Sequence, residues 1–247
     1  MFKRIIPSVQ LEDNVVVKSK MFAETTYVGE PINVIKIFND KFVDELIIID
    51  ISKTTSPNFE VLEELTSEAF MPLTYSGKIN KLEYASKLFE IGFEKISLTT
   101  AAIYNPDLII ELVKKYGSQS ICVCVDIKKL NQDYYVYSHL KNEVLKDTSI
   151  NEFISFIADC GVGEIIVQSV DRDGTKTGFD IDLLKTLLPL PRVPVLFCGG
   201  CSSIDDLNNI LSYDISGVVV GSYFTLYGPY DAPLIHYVNE SLINERM

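Results

Sequence analysis

Histidine and cysteine are scarce: two and five, respectively, in 247 residues, and 22 Lys and Arg face 34 Asp and Glu. His139 and His236 are isolated in sequence, too few for a metal site or a Ser/His/Asp triad, so no metal and no cofactor are expected. An odd number of cysteines scattered through apolar segments argues against a disulfide framework and for reduced thiols. Cys122/Cys124 and Cys198/Cys201 then read as packing or loop residues rather than zinc ligands. A net charge of −12 repels phosphate backbones and anionic lipid, so neither nucleic acid nor a membrane surface is an expected partner. No run approaches the roughly 18 apolar residues of a membrane span. Met1–Pro7 lacks the long apolar core and small-residue cleavage site of a leader, which points to a cytoplasmic protein. Linkers and low-complexity tracts are missing too, so residues 1–247 read as one domain.

What is present is alternation. Hydrophobic residues are 47% of the chain, enough for a sizeable core. Short Ile/Val-rich runs at 4–10, 45–51, 72–75, 95–98, 120–126, 164–169, 194–198 and 217–220 read as parallel strands covered on both faces. Helical patterns lie between them: one opening at Pro31, one over 59–70, and one from Leu108 to Tyr116 ended by Gly117. Ser149, Asp180 and Ser203 read as N-caps. Eight strand–helix pairs in this length fit an α/β (β/α)8 TIM barrel. An open doubly wound sheet would want a glycine fingerprint in its first turn, which is absent. Tyr134–Ser138, turned by Asn131-Gln132-Asp133, predicts a β-hairpin insertion after strand 5. Landmarks recur at half-chain distance: Gln10 with Asp126, Ile47 with Ile165, Gly77 with Gly199 and Thr99 with Gly221 lie 116 to 122 positions apart, a half-barrel repeat.

In such a barrel the strand ends face the active-site mouth. Asp126 is a candidate acid–base group there, or else a strand-end carboxylate that bonds loop amides. Its repeat mate is Gln10, an amide that cannot titrate. A phosphorylated small molecule would suit the glycine-rich ends of the second half: Asp173, Gly174 and Thr175, Gly199 and Gly200, and Gly221 and Ser222. The first-half counterpart is Gly77, Lys78, Thr99 and Thr100, where Lys78 would bring positive charge.

Lys3-Arg4-Ile5-Ile6, Asp44-Glu45-Leu46, Val125-Asp126-Ile127-Lys128 and Ser169-Val170-Asp171-Arg172-Asp173-Gly174-Thr175 closely resemble HisF, the cyclase subunit of imidazole glycerol phosphate synthase. The resemblance implies a barrel docked to a HisH-like glutaminase, with ammonia passing through it to a bis-phosphate substrate. It also implies two catalytic aspartates, of which Asp126 matches one and Gln10 replaces the other. The family's three-glycine turn stands here as Ser76-Gly77-Lys78, and its Asn after strand 4 as Thr99. By contrast, the family's charged gate carries over as Arg4, Glu45, Lys95 and Glu164, with Asp44 and Glu94 resembling docking acids. Departures confined to the substrate face resemble the glycosyl amidation-associated (WbuZ-like) paralogues, which implies a separate sugar amidotransferase as ammonia acceptor in surface polysaccharide biosynthesis. A working cyclase of histidine biosynthesis, yielding imidazole glycerol phosphate and AICAR, is the alternative, and a phosphate-ligand sensor a third.

Overall fold

The computed structural model describes residues 3–238 and 240–243. Eight strands alternate with helices: β1 (Arg4–Glu12), β2 (Leu46–Asp50), β3 (Leu73–Ser76), β4 (Lys95–Leu98), β5 (Ile121–Leu130), β6 (Glu164–Ser169), β7 (Val195–Cys198) and β8 (Gly217–Val220). Each pairs in parallel with the next, β8 pairs with β1, and β5 pairs with β6, so the sheet closes on itself. This is a (β/α)8 barrel. Closure removes every edge from the central sheet.

Two-residue periodicity divides each strand between two cores. Ile5, Leu46, Ile48, Ile96 and Val123 point outward into the large cluster beneath the helices. Their neighbours Ile6, Ile47, Cys122, Ile166, Leu196 and Val219 form a separate cluster, the barrel interior. Carried along each strand, the same alternation puts Arg4, Glu45, Lys95 and Glu164 at the interior's lower end. Gln10 and Asp126 fall at its upper end.

The ring of helices comprises α1 (Pro31–Asp40), α2 (Phe59–Glu68), α3 (Leu82–Glu90), α4 (Thr100–Tyr104), α5 (Pro106–Tyr116), α6 (Ile150–Asp159), α7 (Ile181–Thr186), α8 (Ile204–Leu211) and α9 (Ser222–Thr225). Pro31 occupies the first turn of α1, where its missing N–H costs nothing, and Val34, Ile35 and Phe38 form the buried stripe. Asp180 and Ser203 cap α7 and α8 through Leu183 N and Asp206 N. Ser149 has the extended backbone of an N-cap but its side chain makes no capping bond. Helix α2 stops at Glu68, short of the expected 70, and leaves Phe70 in a loop with 88% of its surface exposed. After β8 the described chain has the single turn α9 rather than a full helix, then a short hairpin at Leu226–Tyr227 and Ala232–Pro233.

The hairpin after β5 forms as expected, with Asp133–Ser138 antiparallel to Ile127–Leu130. A second hairpin was not legible in advance. β1 runs past Gln10 to Glu12 and turns through Asp13 and Asn14, both at positive φ, into Val15–Ser19, which pairs with Thr25–Gly29. This extension overhangs the mouth. Phe38 is fully buried where α1 meets α2, so Phe38→Ala should cost about 3–5 kcal/mol of unfolding free energy in denaturant titration.

Candidate functional site at the two ends of the barrel

At the lower end four charges meet inside the barrel. Arg4 reaches Glu45 at 2.9 Å through Nη1 and pairs with Glu164 through Nη2. Lys95 Nζ lies 2.8 Å from Glu45 and 3.7 Å from Glu164. Each carboxylate therefore touches both cations, and the ring closes. Thr74 Oγ1 donates to the remaining oxygen of Glu45 at 2.6 Å. Burial alone would lower the Arg4 guanidinium, but Glu164 and Glu45 outweigh it and hold it above its ordinary value. Both carboxylates are buried, so each needs its partners. Asp44 and Glu94, the expected docking acids, accept from the backbone N–H groups of Ile5 and Leu73 and thereby cap strand starts. The base also carries two exposed aromatic side chains, Phe42 and Phe70, each 88% exposed, on adjacent loops that Asn39 ties together through Glu68 O and Phe70 N.

At the upper end the second-half residues converge. Gly174, Gly199, Gly200, Gly221 and Ser222 line a cavity of about 40 Å3 with Gln10 and Asp173. Gly200 sits at φ +98°, and a Cβ there would lie 2.1 Å from the Gly178 carbonyl oxygen, so backbone must form this wall. The hydroxyl of Ser222 is buried and has no hydrogen-bond partner. Thr175 stays outside; its hydroxyl donates to Arg172 O at 2.9 Å within its own loop.

Two lysines at this cavity went unrecognised in the sequence. Lys18, on the first hairpin, pairs with Asp173 at 3.0 Å, and Lys176 donates to Leu226 O and Asp231. A lone lysine after Val15-Val16-Val17 looks like a solvated strand residue, yet Lys18 is buried by the loop after β6. Gln10 joins the same network. Its Nε2 donates to Ser19 Oγ at 2.9 Å, its Oε1 accepts from Ser19 N at 2.6 Å, and Ser19 Oγ in turn donates to Asp173.

The first-half residues make a different pocket. Gly77, Lys78, Thr99 and Thr100 line a cavity of about 270 Å3. Lys78 adopts a left-handed φ of +57°, and its ammonium pairs with buried Asp50 instead of standing free for a phosphate. Asp50 also accepts from Tyr75 Oη at 2.8 Å and from Ser52 N and Oγ. The positive charge expected of Lys78 is thus neutralised within the protein.

Asp126 lines neither cavity. It contacts His139 Nε2 at 3.4 Å, and the Cys124 thiol lies 3.9 Å away. Burial, reinforced by Asp173, pushes its carboxyl up to about 7. His139 is isolated in sequence, yet the hairpin folding back over the mouth brings it against Asp126, 13 positions earlier in the chain. Cys122, Cys124 and Cys198 line the interior as free thiols, all raised by burial.

A closed parallel barrel with a glycine-walled cavity at the ends of its second-half strands defines a (β/α)8 protein of the kind that binds small ligands at its mouth. Residues 4–230 match the histidine biosynthesis protein family, and the chain belongs to it. A Pseudomonas aeruginosa protein provisionally named imidazole glycerol phosphate synthase subunit hisF2 is 40% identical over 240 residues, 95% of each chain. A Leptospira borgpetersenii protein provisionally named as subunit HisF of that synthase is 38% identical, covering 96% of this chain and 95% of its own. The imidazole glycerol phosphate synthase subunit HisF of Chlorobium phaeovibrioides is 37% identical over 208 residues, 83% of this chain and 82% of its own. The chain is therefore HisF-like. No helix among the described residues is long and apolar enough to cross a membrane.

The raised Asp126 carboxyl has a consequence for stability. Above the unfolded value of 3.8 the unfolded chain loses this proton while the folded protein keeps it until about pH 7. Stability contributed by the neutral acid therefore falls as pH rises from 4 to 7, and the cost then stays constant. Asp126→Asn should raise unfolding free energy on the order of 2–4 kcal/mol at pH 8 and by progressively less toward pH 4, as read by denaturant titration at several pH values.

Proposed function

We propose that this chain is the HisF-like subunit of a glutamine amidotransferase complex. It activates a HisH-like glutaminase docked at the base of the barrel and passes ammonia along the barrel axis to the mouth. The ring of Arg4, Glu45, Lys95 and Glu164 carries this reading. Two buried carboxylates held by two half-buried cations across the lower end of a barrel do little for stability that apolar packing would not do as well. As a gate they have a use: Lys95 can swing between Glu45 and solvent and open the axis to a small neutral molecule. At and just above the ring the buried hydroxyls of Thr74, bound to Glu45, and Ser97 add polar points to the interior wall, which supports a path for ammonia. Phe42 and Phe70 supply aromatic anchors for the glutaminase beside the ring.

The ammonia acceptor follows from the mouth. Gln10 stands where a titratable group would serve ring closure, and Lys78 is spent on Asp50. Both favour delivery to a separate enzyme, a sugar amidotransferase of surface polysaccharide biosynthesis. One observation favours the second reading, in which the barrel itself converts a bis-phosphate and ammonia to imidazole glycerol phosphate and AICAR. Asp126 keeps a carboxyl near 7 at the interior's upper end and has a histidine against it.

With a HisH-like glutaminase present, Lys95→Ala should cut glutamine-dependent turnover at least about 10-fold while ammonium-dependent turnover is kept and the barrel still folds, with a lower Tm because Glu45 and Glu164 keep only Arg4; the two nitrogen sources are compared in parallel assays. Phe42→Glu with Phe70→Glu should weaken glutaminase binding at least about 30-fold by calorimetry, because hot-spot aromatics each carry about 2 kcal/mol or more.

A further inference from the structure

Asp126 is buried at the upper end of the interior, outside both mouth cavities. His139, on the hairpin that follows β5, stands between it and solvent. Its Nε2 is 3.4 Å from Asp126 Oδ2, at the long end of hydrogen-bond reach, and a third of its side chain is exposed. Two aromatic rings fix the imidazole: Phe22 from the first hairpin at 4.3 Å and Tyr137, edge-on, at 4.7 Å. Beyond it lies a third cavity of about 320 Å3, bounded by His139, Phe22, Lys128 and Tyr137. Gln10, meanwhile, is locked to Ser19 through both ends of its amide.

We propose that His139 is the proton-carrying partner of Asp126, filling the role vacated at position 10, and that the pair moves a proton to and from a phosphorylated ligand at the mouth. This rests on the second reading above, in which the barrel does its own chemistry. In the forward step the Asp126 Oδ2–H bond breaks and an N–H bond forms at His139 Nε2. The Nδ1–H bond breaks as its proton bonds to the basic atom of the ligand. Asp126 is left as carboxylate, His139 is neutral again as its other tautomer, and the reverse step restores both.

The surroundings suit such an exchange. Burial and Asp173 hold the Asp126 carboxyl near 7. Burial lowers the imidazole, Asp173 raises it and Lys128 lowers it, so both partners lean toward their neutral forms. Facing the pair are Lys128 on β5, Tyr137 on the hairpin arm, and Asp171 and Asp173 after β6. Asp173 is balanced by Lys18, and Asp171 accepts from Lys129 N at 2.6 Å. No other histidine comes near.

The test supplies the purified protein with the bis-phosphorylated precursor of imidazole glycerol phosphate and ammonium chloride across roughly pH 5.5–9. His139→Phe keeps the aromatic stacking and removes both nitrogens, His139→Gln keeps polarity, and His139→Ala opens a space that imidazole can enter. On that second reading the wild type turns the precursor over, with kcat falling about 100-fold in His139→Phe and His139→Gln, KM little changed, and the acid limb of the pH profile moved. Added imidazole should restore His139→Ala, a response that a packing role would not give. Wild-type kcat in His139→Gln or His139→Phe overturns the pair, as does a folded His139→Ala that imidazole leaves inactive. Should His139→Ala not fold, the Phe and Gln variants decide. Wild-type protein that never turns over this substrate removes the second reading itself, and the pair's role with it, a result distinct from the other two.

Discussion

Two glutamates are buried inside the lower end of the barrel and need cations beside them, and this constraint organises the base of the molecule. A lone carboxylate in that setting would be strongly destabilising, whereas one shared between a guanidinium and an ammonium is tolerated. Arg4 from β1 and Lys95 from β4 each reach both Glu45, just before β2, and Glu164 on β6, while Thr74 on β3 completes the shell of Glu45. Five of the eight strand starts are therefore linked through one set of contacts. The register that closes the sheet also decides whether these charges meet. A one-residue slip in β1 would turn Arg4 out and Ile5 in, leaving both glutamates short of a partner.

The upper end follows another rule. The second half uses bare backbone: Gly199 and Gly200, both at positive φ, wall a small cavity beside Ser222, whose buried hydroxyl has no hydrogen-bond partner. At the matching place in the first half, Lys78 brings a side chain that turns back on Asp50, leaving a wider pocket of about 270 Å3 under Thr99 and Thr100. The twofold pattern is visible in the strands and absent from the loops, since strands must satisfy a shared register and loops need satisfy only their own contents.

That difference also governs what could be read from the residues in order. The eight strands were legible because buried parallel strands are continuous apolar runs. Gln10 and Asp126 could be placed at strand ends from those runs, whereas Arg4, Glu45, Lys95 and Glu164 were singled out by the resemblance to HisF, and period two accounts for their pointing inward. The extension of β1 into a hairpin was not, because Val15–Ser19 and Thr25–Gly29 are short and one of them is largely exposed. Lys18 and His139 were missed for one shared reason. Each is a single polar residue in a segment without periodicity, and its significance comes from a fold-back that joins distant parts of the chain: 155 positions between Lys18 and Asp173. The end of α2 was overrun because Ala69 and Phe70 continue the apolar spacing, while at Ala69 the backbone is already extended.

Gln10, Ser19, Asp173 and Lys18 form one continuous chain of contacts across the mouth, reinforced by Met21 N bonding Asp173 O. An acid at position 10 would therefore face Asp173 as a like charge across Ser19 and would lose the amide N–H that now donates to that hydroxyl. The overhanging loop is moored by the same side chain that faces the mouth, so a change made there for chemistry is felt as a loosening of the lobe above it.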